Sequence, residues 1–188
     1  WDSKNNEFIH ETGKMQIWPH QKRIFEHILA LNKDGKFPYE TVLFSCVKKS
    51  GKTTIGAAVA AWFADQSYPG TEIYVLANDL EQAEGSMMKD IKFDAREKGC
   101  SDDVIHKYDI QYPNGTTIQV LSSQYTSAAG GQQALTLFDE LWGYQTEKAQ
   151  RLYEEMTPIP TEKLSLRVVV TYAGFEGESQ LLWDLYER

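Results

Sequence analysis

A short apolar run leads through a turn of small and basic residues directly into a helix of small side chains. Val-Leu-Phe-Ser occupies residues 42–45, Cys-Val-Lys-Lys-Ser-Gly-Lys-Thr-Thr occupies 46–54, and the small-residue stretch runs from 55 to 64. This order predicts a buried strand that ends at Ser45, followed by a loop whose backbone amides from 49 to 52 converge on one point. The helix directs its positive end to the same point, which favours an anion there. The segment is therefore predicted to be a phosphate-binding loop.

The predicted loop departs from the usual spacing G-x-x-x-x-G-K-[ST], because Cys46 stands at the position of the first glycine. Within that spacing, Lys52 is expected to reach the terminal phosphates of a nucleotide, and Thr53 is expected to ligate Mg2+. The residues predicted to bind the nucleotide are Lys49, Ser50, Gly51, Lys52, Thr53 and Thr54. The alternative is an ordinary strand-turn-helix junction with an exposed lysine, because Gly-Lys-Thr also occurs by chance.

Two adjacent carboxylates follow a second apolar run. Ala-Leu-Thr-Leu-Phe at 134–138 leads into Asp139 and Glu140. Such a run predicts a central parallel strand, whose end opens on the ligand crevice of an open α/β sheet. There Asp139 would hold Mg2+, and Glu140 would polarise the water that attacks a γ-phosphate. By itself, an acidic pair after a strand is more often the start of a helix, where carboxylates suit the dipole.

A third apolar run, Leu-Arg-Val-Val-Val at 166–170, delivers Thr171 to the same edge of the predicted sheet. The Thr171 hydroxyl would sense the γ-phosphate or the attacking water. The alternative is a threonine that caps the next turn.

The order of these three segments is typical of P-loop ATPases that use a catalytic glutamate. The predicted fold is therefore α/β, a P-loop NTPase of the RecA-like type with a mostly parallel central sheet flanked by helices. A guanine-binding Asn-Lys-x-Asp would favour a G protein instead. Asn-Lys-Asp-Gly at 32–35 has glycine where the aspartate is needed and precedes the phosphate loop, so we interpret it as a polar turn.

The remaining pattern predicts the elements around these motifs. Helical periodicity starts at Pro19 and is ended by Gly35 and Pro38. Asn114-Gly115 predicts the tight turn of a β-hairpin within 104–121, an insertion that would extend the edge of the sheet. The other predicted elements are a strand at 72–77, a helix at 79–98, a glycine-rich segment at 122–133 that is either a mobile loop beside the site or a plain connector, and a helix at 147–156.

Composition argues against a surface built to coat DNA. The 188-residue chain carries a net charge of -8 and has a pI near 5.0, whereas nonspecific affinity for DNA comes from many Lys and Arg. Two cysteines are too few for a disulfide framework and imply a reducing cytosol. The longest apolar stretch, 57–64, is too short to cross a bilayer, so no membrane partner is expected.

Five separated segments resemble the ATPase domain of viral large terminases, the motors that package DNA into preformed capsids of tailed phages. They are Trp-Pro-His-Gln at 18–21, the phosphate loop at 48–53, Tyr-Val-Leu-Ala at 74–77 with Gln-Ala at 82–83, Phe-Asp-Glu-Leu-Trp at 138–142, and Val-Thr-Tyr-Ala-Gly at 170–174. The last resembles the family's coupling motif. The resemblance implies ATP and Mg2+ as cofactors and hydrolysis that drives double-stranded DNA into a procapsid.

The same resemblance implies roles for individual residues. Gln21 would pair with the adenine edge. Lys48 stands where many relatives have arginine, keeping the charge without the planar fork, and would stabilise charge on the transferred phosphate. Thr171 would relay the presence of the γ-phosphate to the moving part. No arginine lies at 127–132 to act on a neighbouring subunit, and surface ion pairs are expected for Arg96, Arg151 and Arg167.

The resemblance also implies how the chain is organised and where it works. Residues 1–17 are polar and charged, which by itself predicts a mobile or loosely docked N-terminal arm. By resemblance, 18–188 would be the ATPase domain, with the nuclease domain of full-length terminases absent, so that DNA cleavage is not expected. The implied partners are double-stranded DNA, further copies in a ring on the portal protein, and the terminase small subunit, in the cytoplasm of an infected or lysogenic bacterium. DNA contact would then fall to a few loops around the ring's pore and to the further domain.

Two other functions fit the motifs. A helicase or another nucleic-acid-translocating ATPase shares all three core motifs but needs a second core domain or subunit to complete its site. A noncatalytic, nucleotide-dependent scaffold is disfavoured by Glu140 and would bind ATP tightly without turnover.

Overall fold

The computed structural model describes residues 17–78, 80–85, 87–122, 131, 133–175 and 177–187. Its six strands are β1 Thr41–Ser45, β2 Glu72–Ala77, β3 Asp109–Gln111, β4 Thr117–Ser122, β5 Gln133–Asp139 and β6 Leu166–Thr171. Its six α-helices are α1 Pro19–Ile28, α2 Lys52–Gln66, α3 Leu80–Gly85, α4 Met87–Glu97, α5 Glu147–Glu155 and α6 Gln180–Tyr186. Short 3-10 helices cover Asp102–Val104 and Leu141–Gly143.

All six strands form one sheet in the order β1-β6-β5-β2-β4-β3. Every neighbouring pair is parallel except the hairpin β3–β4. The mostly parallel α/β sheet predicted from the sequence is therefore confirmed, with β6 between the strand that precedes the phosphate loop and the strand that ends in the acidic pair.

The strand before the phosphate loop was expected to be buried, and this is only partly right. Residues 41–44 are half-buried and Ser45 is exposed. The reason is topological: β1 lies at the edge of the sheet and pairs, within the described residues, with β6 alone. By contrast, every residue of β5 is buried, as expected for a central parallel strand.

Helices cover both faces of the sheet. On one face α2 packs closely, because Gly56 carries no side chain; a Cβ there would lie 2.9 Å from Met87 Cε and 3.4 Å from Leu137 Cδ2. The apolar cluster on this face joins α2 and α4 to the sheet. On the other face, α5, α6 and the 3-10 helix Leu141–Gly143 enclose a second cluster that includes Phe138 and Tyr144. The result is a three-layer α/β arrangement.

Two predicted helices differ from the observed ones. The first ends at Ile28 rather than near Gly35. Further along the chain, the side-chain oxygen of Asn32 accepts hydrogen bonds from the backbone amides of Asp34 and Lys36, which forms the polar turn expected there. The stretch predicted as one helix at 79–98 contains α3 and α4, and residues 79 and 86 lie outside the described part.

The predicted β-hairpin is confirmed and extends the sheet's edge as β3 and β4. Gly115 has φ of +83°, a conformation that favours glycine, and its amide donates to Tyr112 O at 2.9 Å. Asn114 anchors the turn, because its side-chain amide donates to Ala64 O at the end of α2.

The three arginines for which surface ion pairs were expected divide into two exposed ion pairs and one half-buried residue. Arg96 pairs with exposed Asp102, and Arg151 pairs with exposed Glu147 one turn away. Arg167 is half-buried rather than at the surface, and its guanidinium carbon lies 4.1 Å from the ring centroid of Tyr153.

The predicted arm at 1–17 lies outside the described residues except for Ile17, and most of the glycine-rich segment at 122–133 does too. In the part of the chain that the structure describes, no helix has the length and apolar character needed to cross a membrane.

Candidate active site

The three predicted motifs meet at one edge of the sheet. Because β1, β6 and β5 are parallel neighbours, their carboxyl ends lie side by side. Two backbone hydrogen bonds tie the ends together: Cys46 N donates to Thr171 O at 3.1 Å, and Glu140 N donates to Val170 O at 2.9 Å. Side chains that are far apart in the sequence are thereby brought to one cleft.

The segment after β1 forms a tight loop that ends at the start of α2. Lys49 and Gly51 have φ of +65° and +82°, and α2 begins at Lys52 with no acidic residue in its first turn. The Ser50 hydroxyl lies 2.7 Å from Val47 O, to which it donates, and this bond fixes the turn. Because the first amides of a helix have no acceptor within the helix, the start of this 15-residue helix offers N–H groups and a positive end to an anion.

Lys52 and Glu140, predicted to act together, form an ion pair. Lys52 Nζ lies 2.9 Å from Glu140 Oε1. Lys52 is only 7% exposed, and Glu140 is half-buried. The structure therefore brings the cation that would hold terminal phosphates to the carboxylate that would activate water, in a site partly shielded from solvent.

Asp139 ends β5 as a buried carboxylate, next to Glu140 in the chain. It is 7% exposed, and its Oδ1 has no hydrogen-bond partner among the described residues. Burial and the neighbouring charge of Glu140 raise the pKa of Asp139 to about 6, against the opposing effect of Lys52. A buried carboxylate oxygen without a partner fits a bound cation or its water shell.

Few of the described residues are placed to ligate a metal ion. No group of three or more His, Cys, Asp or Glu converges among the residues described. Mg2+ commonly takes one or two carboxylates and completes its shell with water and substrate phosphates. Asp139 and the hydroxyl of Thr53, on the first turn of α2, are of the right chemical type for such a site.

Thr171 and Lys48 lie beside the cleft, each held by Tyr172. Thr171 is fully buried, and its hydroxyl donates to Tyr172 O at 3.0 Å. Lys48 Nζ lies 4.5 Å from the ring centroid of Tyr172, and Lys52 Nζ lies 5.7 Å from it. Each of these ammonium groups is attracted to the ring face of Tyr172.

Gln21 lies behind the phosphate loop rather than in the cleft. It is 6% exposed, and its side-chain oxygen accepts from Trp18 N at 3.0 Å at the start of α1. Its amide nitrogen is 3.4 Å from the position that a Cβ of Gly51 would take. The amide therefore packs against the loop, and its pairing with adenine stays a prediction.

The cleft between these motifs has a volume of about 650 Å³, in the range of small-molecule sites. Its lining includes Lys48, Lys49, Lys52, Glu140 and Tyr172. The basic side chains line the wall formed by the phosphate loop and face the acidic end of β5.

Three residues of the site were not singled out from the sequence. Asn78, just after β2, donates through Nδ2 to Glu140 O at 2.8 Å. Trp142 donates through Nε1 to Glu140 Oε2 at 2.9 Å. Gly143 makes room for Asn78, because a Cβ there would lie 2.2 Å from Asn78 Nδ2. In the sequence, Trp142 could have been found from its position two residues after Glu140. No sequence pattern marked Asn78.

Comparisons with known proteins give structural likeness alone. No family model matches the sequence, and no curated protein matches it. The large terminase of bacteriophage HK97 is 18% identical with a TM-score of 0.68, over 95% of this chain and 37% of that one. The large terminase of a thermophilic bacteriophage is 9% identical with a TM-score of 0.62, over 84% of this chain and 39% of that one.

A point variant of the large terminase ATPase domain of Thermus phage P74-26 is also similar. It is 11% identical with a TM-score of 0.52, over 93% of this chain and 70% of that chain. The present chain thus spans well under half the length of the first two terminases. The chain has the RecA-like P-loop α/β fold found in the ATPase domain of a phage large terminase.

Proposed function

We propose that the chain is a Mg2+-dependent ATPase, the motor domain of a terminase large subunit. The observation that carries this proposal is the 2.9 Å approach of Lys52 Nζ to Glu140 Oε1 at the mouth of a cleft between the phosphate loop and β5. The two residues are brought together by parallel strands, as the order of the motifs predicted. The fold likeness to phage large terminases supports the same assignment.

The protein groups divide the work of phosphoryl transfer to water. The loop amides at 49–52 and Lys52 hold the terminal phosphates, and Glu140 orients the attacking water and accepts its hydrogen bond. Lys48 adds positive charge beside the phosphates. Thr171, whose hydroxyl donates to Tyr172 O, relays the presence of the γ-phosphate to the moving part of the motor. The rate gain comes from positioning and charge stabilisation rather than covalent chemistry.

Lys52 has to exchange partners for this cycle to run. In the present geometry its ammonium neutralises Glu140. A nucleotide phosphate competes for the same ammonium, and once Lys52 turns to it, one oxygen of Glu140 becomes an available acceptor. The ion pair therefore links occupation of the phosphate site to the release of the general base.

Mg2+, when bound, supplies charge neutralisation at the β- and γ-phosphates. Asp139 and Thr53 would hold it. The unpartnered Asp139 Oδ1 supports this role, and the raised pKa of Asp139 means that cation binding must displace a proton near and below pH 6.

We further propose that hydrolysis drives double-stranded DNA into a procapsid, by a ring of copies on a portal protein with a terminase small subunit, in the bacterial host cytoplasm. The net charge of -8 indicates that only limited surfaces touch DNA. A neighbouring subunit would supply a further basic group to each site. Turnover would then depend on assembly.

The test is ATP turnover per chain over a wide range of protein concentration, with Lys52→Ala as the blank. A rate per chain that climbs with concentration supports subunits that complete one another's sites. A flat, measurable rate keeps the ATPase but contradicts the shared site. Tight ATP binding without turnover at any concentration favours a nucleotide-dependent scaffold over a motor.

Glu140→Gln separates binding from chemistry. The amide keeps the size and one acceptor oxygen but cannot take up a proton, so turnover is expected to fall by about 100-fold or more while ATP still binds. Equilibrium binding of a fluorescent ATP analogue and phosphate release are the two measurements. Retained hydrolysis in this variant would sink the assignment of Glu140 as the base.

A further inference from the structure

Both carboxylate oxygens of Glu140 have a partner in this structure. Oε1 faces Lys52 Nζ at 2.9 Å, and Oε2 accepts the indole N–H of Trp142 at 2.9 Å. The two partners differ in kind. Lys52 belongs to the phosphate loop and has another task there, whereas Trp142 follows Glu140 on the same chain segment.

Trp142 is held firmly enough to act as a fixed donor. Its ring lies 5.2 Å from the ring of Tyr172, centroid to centroid. The backbone of Gly174 also comes so close that a Cβ there would lie 3.1 Å from Trp142 Cβ. The side chain is half-buried, and it starts from the 3-10 helix Leu141–Gly143. The indole therefore has little freedom to leave Glu140.

The backbone of Glu140 is fixed as well. Its φ of +55° is uncommon for a residue with a side chain, because a Cβ makes this left-handed conformation unfavourable. The Asn78 side chain holds this conformation by donating to Glu140 O at 2.8 Å. With the backbone held by Asn78 and Oε2 by Trp142, Oε1 is the oxygen whose partner can change.

From this geometry we infer that Trp142 is a positioning residue for Glu140. It fixes the carboxylate through Oε2 so that Oε1, directed to the phosphate side by its contact with Lys52, accepts the hydrogen bond of the attacking water. The inference rests on the proposed ATPase function. It specifies that Oε1 of Glu140 accepts the hydrogen bond of the water and that Trp142 leaves this oxygen available.

Trp142→Phe isolates the hydrogen bond, because phenylalanine keeps an aromatic ring against Tyr172 but has no N–H to donate. A hydrogen bond to a charged group is worth more than a neutral one, so we expect kcat to fall about tenfold or more. The KM for ATP should change by less than about twofold, since Trp142 does not hold the phosphates. Loss of fold is excluded by an unchanged urea unfolding midpoint.

Trp62→Phe is the matched control. Trp62 belongs to α2 and lies against Phe37 and Phe63. Its ring packs edge-on against that of Phe63, with the ring centroids 5.3 Å apart. The same exchange there alters packing but touches no group of the cleft, so kcat should stay near the wild-type value. Equal losses of kcat in the two variants would overturn the inference.

A second measurement does not depend on activity. The indole N–H resonance of Trp142 in a 15N-labelled chain is identified by its loss in Trp142→Phe. In Glu140→Ala this resonance should shift upfield and exchange faster with solvent, while that of Trp62 stays in place. An unmoved Trp142 resonance overturns the inference even in an active enzyme.

These readings separate the two proposals. A wild-type chain that never exceeds the Lys52→Ala blank refutes the ATPase, and the positioning role falls with it. A wild type that hydrolyses ATP, combined with a Trp142→Phe variant of undiminished kcat, refutes only the positioning role. Reduced kcat at constant KM with a shifted indole resonance supports both.

Discussion

Replacing Asp139 by asparagine should remove a pH-dependent cost of folding, together with the carboxylate proposed to hold Mg2+. The cause is burial of the charge: the pKa of Asp139 is raised from 3.8 to about 6 in the folded chain, by desolvation first and by Glu140 second. A raised pKa for an acid means that the folded state binds the proton more tightly than the unfolded state. Folding therefore bears a cost above pH 6 that disappears as the pH falls below about 4.

The magnitude follows from that difference in pKa. At about 1.4 kcal/mol for each pKa unit, the ionised Asp139 costs folding about 3 kcal/mol at pH 8 and about half as much at pH 5. Asparagine carries no charge, so Asp139→Asn removes this cost. Its buried amide hydrogens add an offset of about 1–3 kcal/mol in the opposite direction, but that offset does not vary with pH.

The assay is urea unfolding of wild type and Asp139→Asn from pH 5 to pH 8, without nucleotide or Mg2+. The difference between their unfolding free energies should change by about 1.5 kcal/mol over this range, in favour of the variant at high pH. Asp102→Asn is the control, since Asp102 is exposed and its ion pair with Arg96 is worth less than about 1 kcal/mol. A difference for Asp139→Asn that stays constant with pH would refute the argument.

Two further substitutions probe the supports of the site and of the sheet. Gly143→Ala places a methyl group 2.2 Å from Asn78 Nδ2 and should lower the free energy of unfolding in urea by about 1–3 kcal/mol. In an Asn78→Ala background this loss should largely vanish. A loss that persists there contradicts the clash. Arg167→Lys loses the hydrogen bond to Tyr153 O at 2.8 Å and the hydrogen bond to Thr41 Oγ1 at 3.1 Å. The free energy of unfolding should therefore fall by about 1–2 kcal/mol. An unchanged midpoint of urea unfolding would show that these two hydrogen bonds do not stabilise the fold.

Much of the fold could be predicted because the relevant signals are local. The buried run before Asp139, the turn at Asn114-Gly115 and the small residues of α2 each specify their own element. The parallel arrangement then follows from the alternation of strands and helices. Where prediction failed, the cause was tertiary. Among the residues that the structure describes, β1 pairs only with β6 and so lies at the edge of the sheet; no pattern within residues 41–45 encodes that neighbour.

The candidate site divides in the same way. Lys52, Asp139 and Glu140 were predictable, since each follows directly from a motif at the end of a strand. Asn78 was not, because its part comes from a hydrogen bond to the backbone of a residue 62 positions away. Gln21 illustrates the reverse case: the residue was singled out, but the sequence could not indicate that its oxygen caps the start of α1.

The position of β1 also bears on how the protein is made. In the described part of the chain β1 pairs with β6 alone, with Thr41 opposite Arg167. The phosphate loop is therefore synthesised well before the strand that supports it. Contacts between segments so far apart in sequence form slowly, because a long loop must close first. The cleft beside this loop should thus be among the last parts of the molecule to take shape. A ligand that binds only the folded cleft should stabilise newly made chains after they have folded.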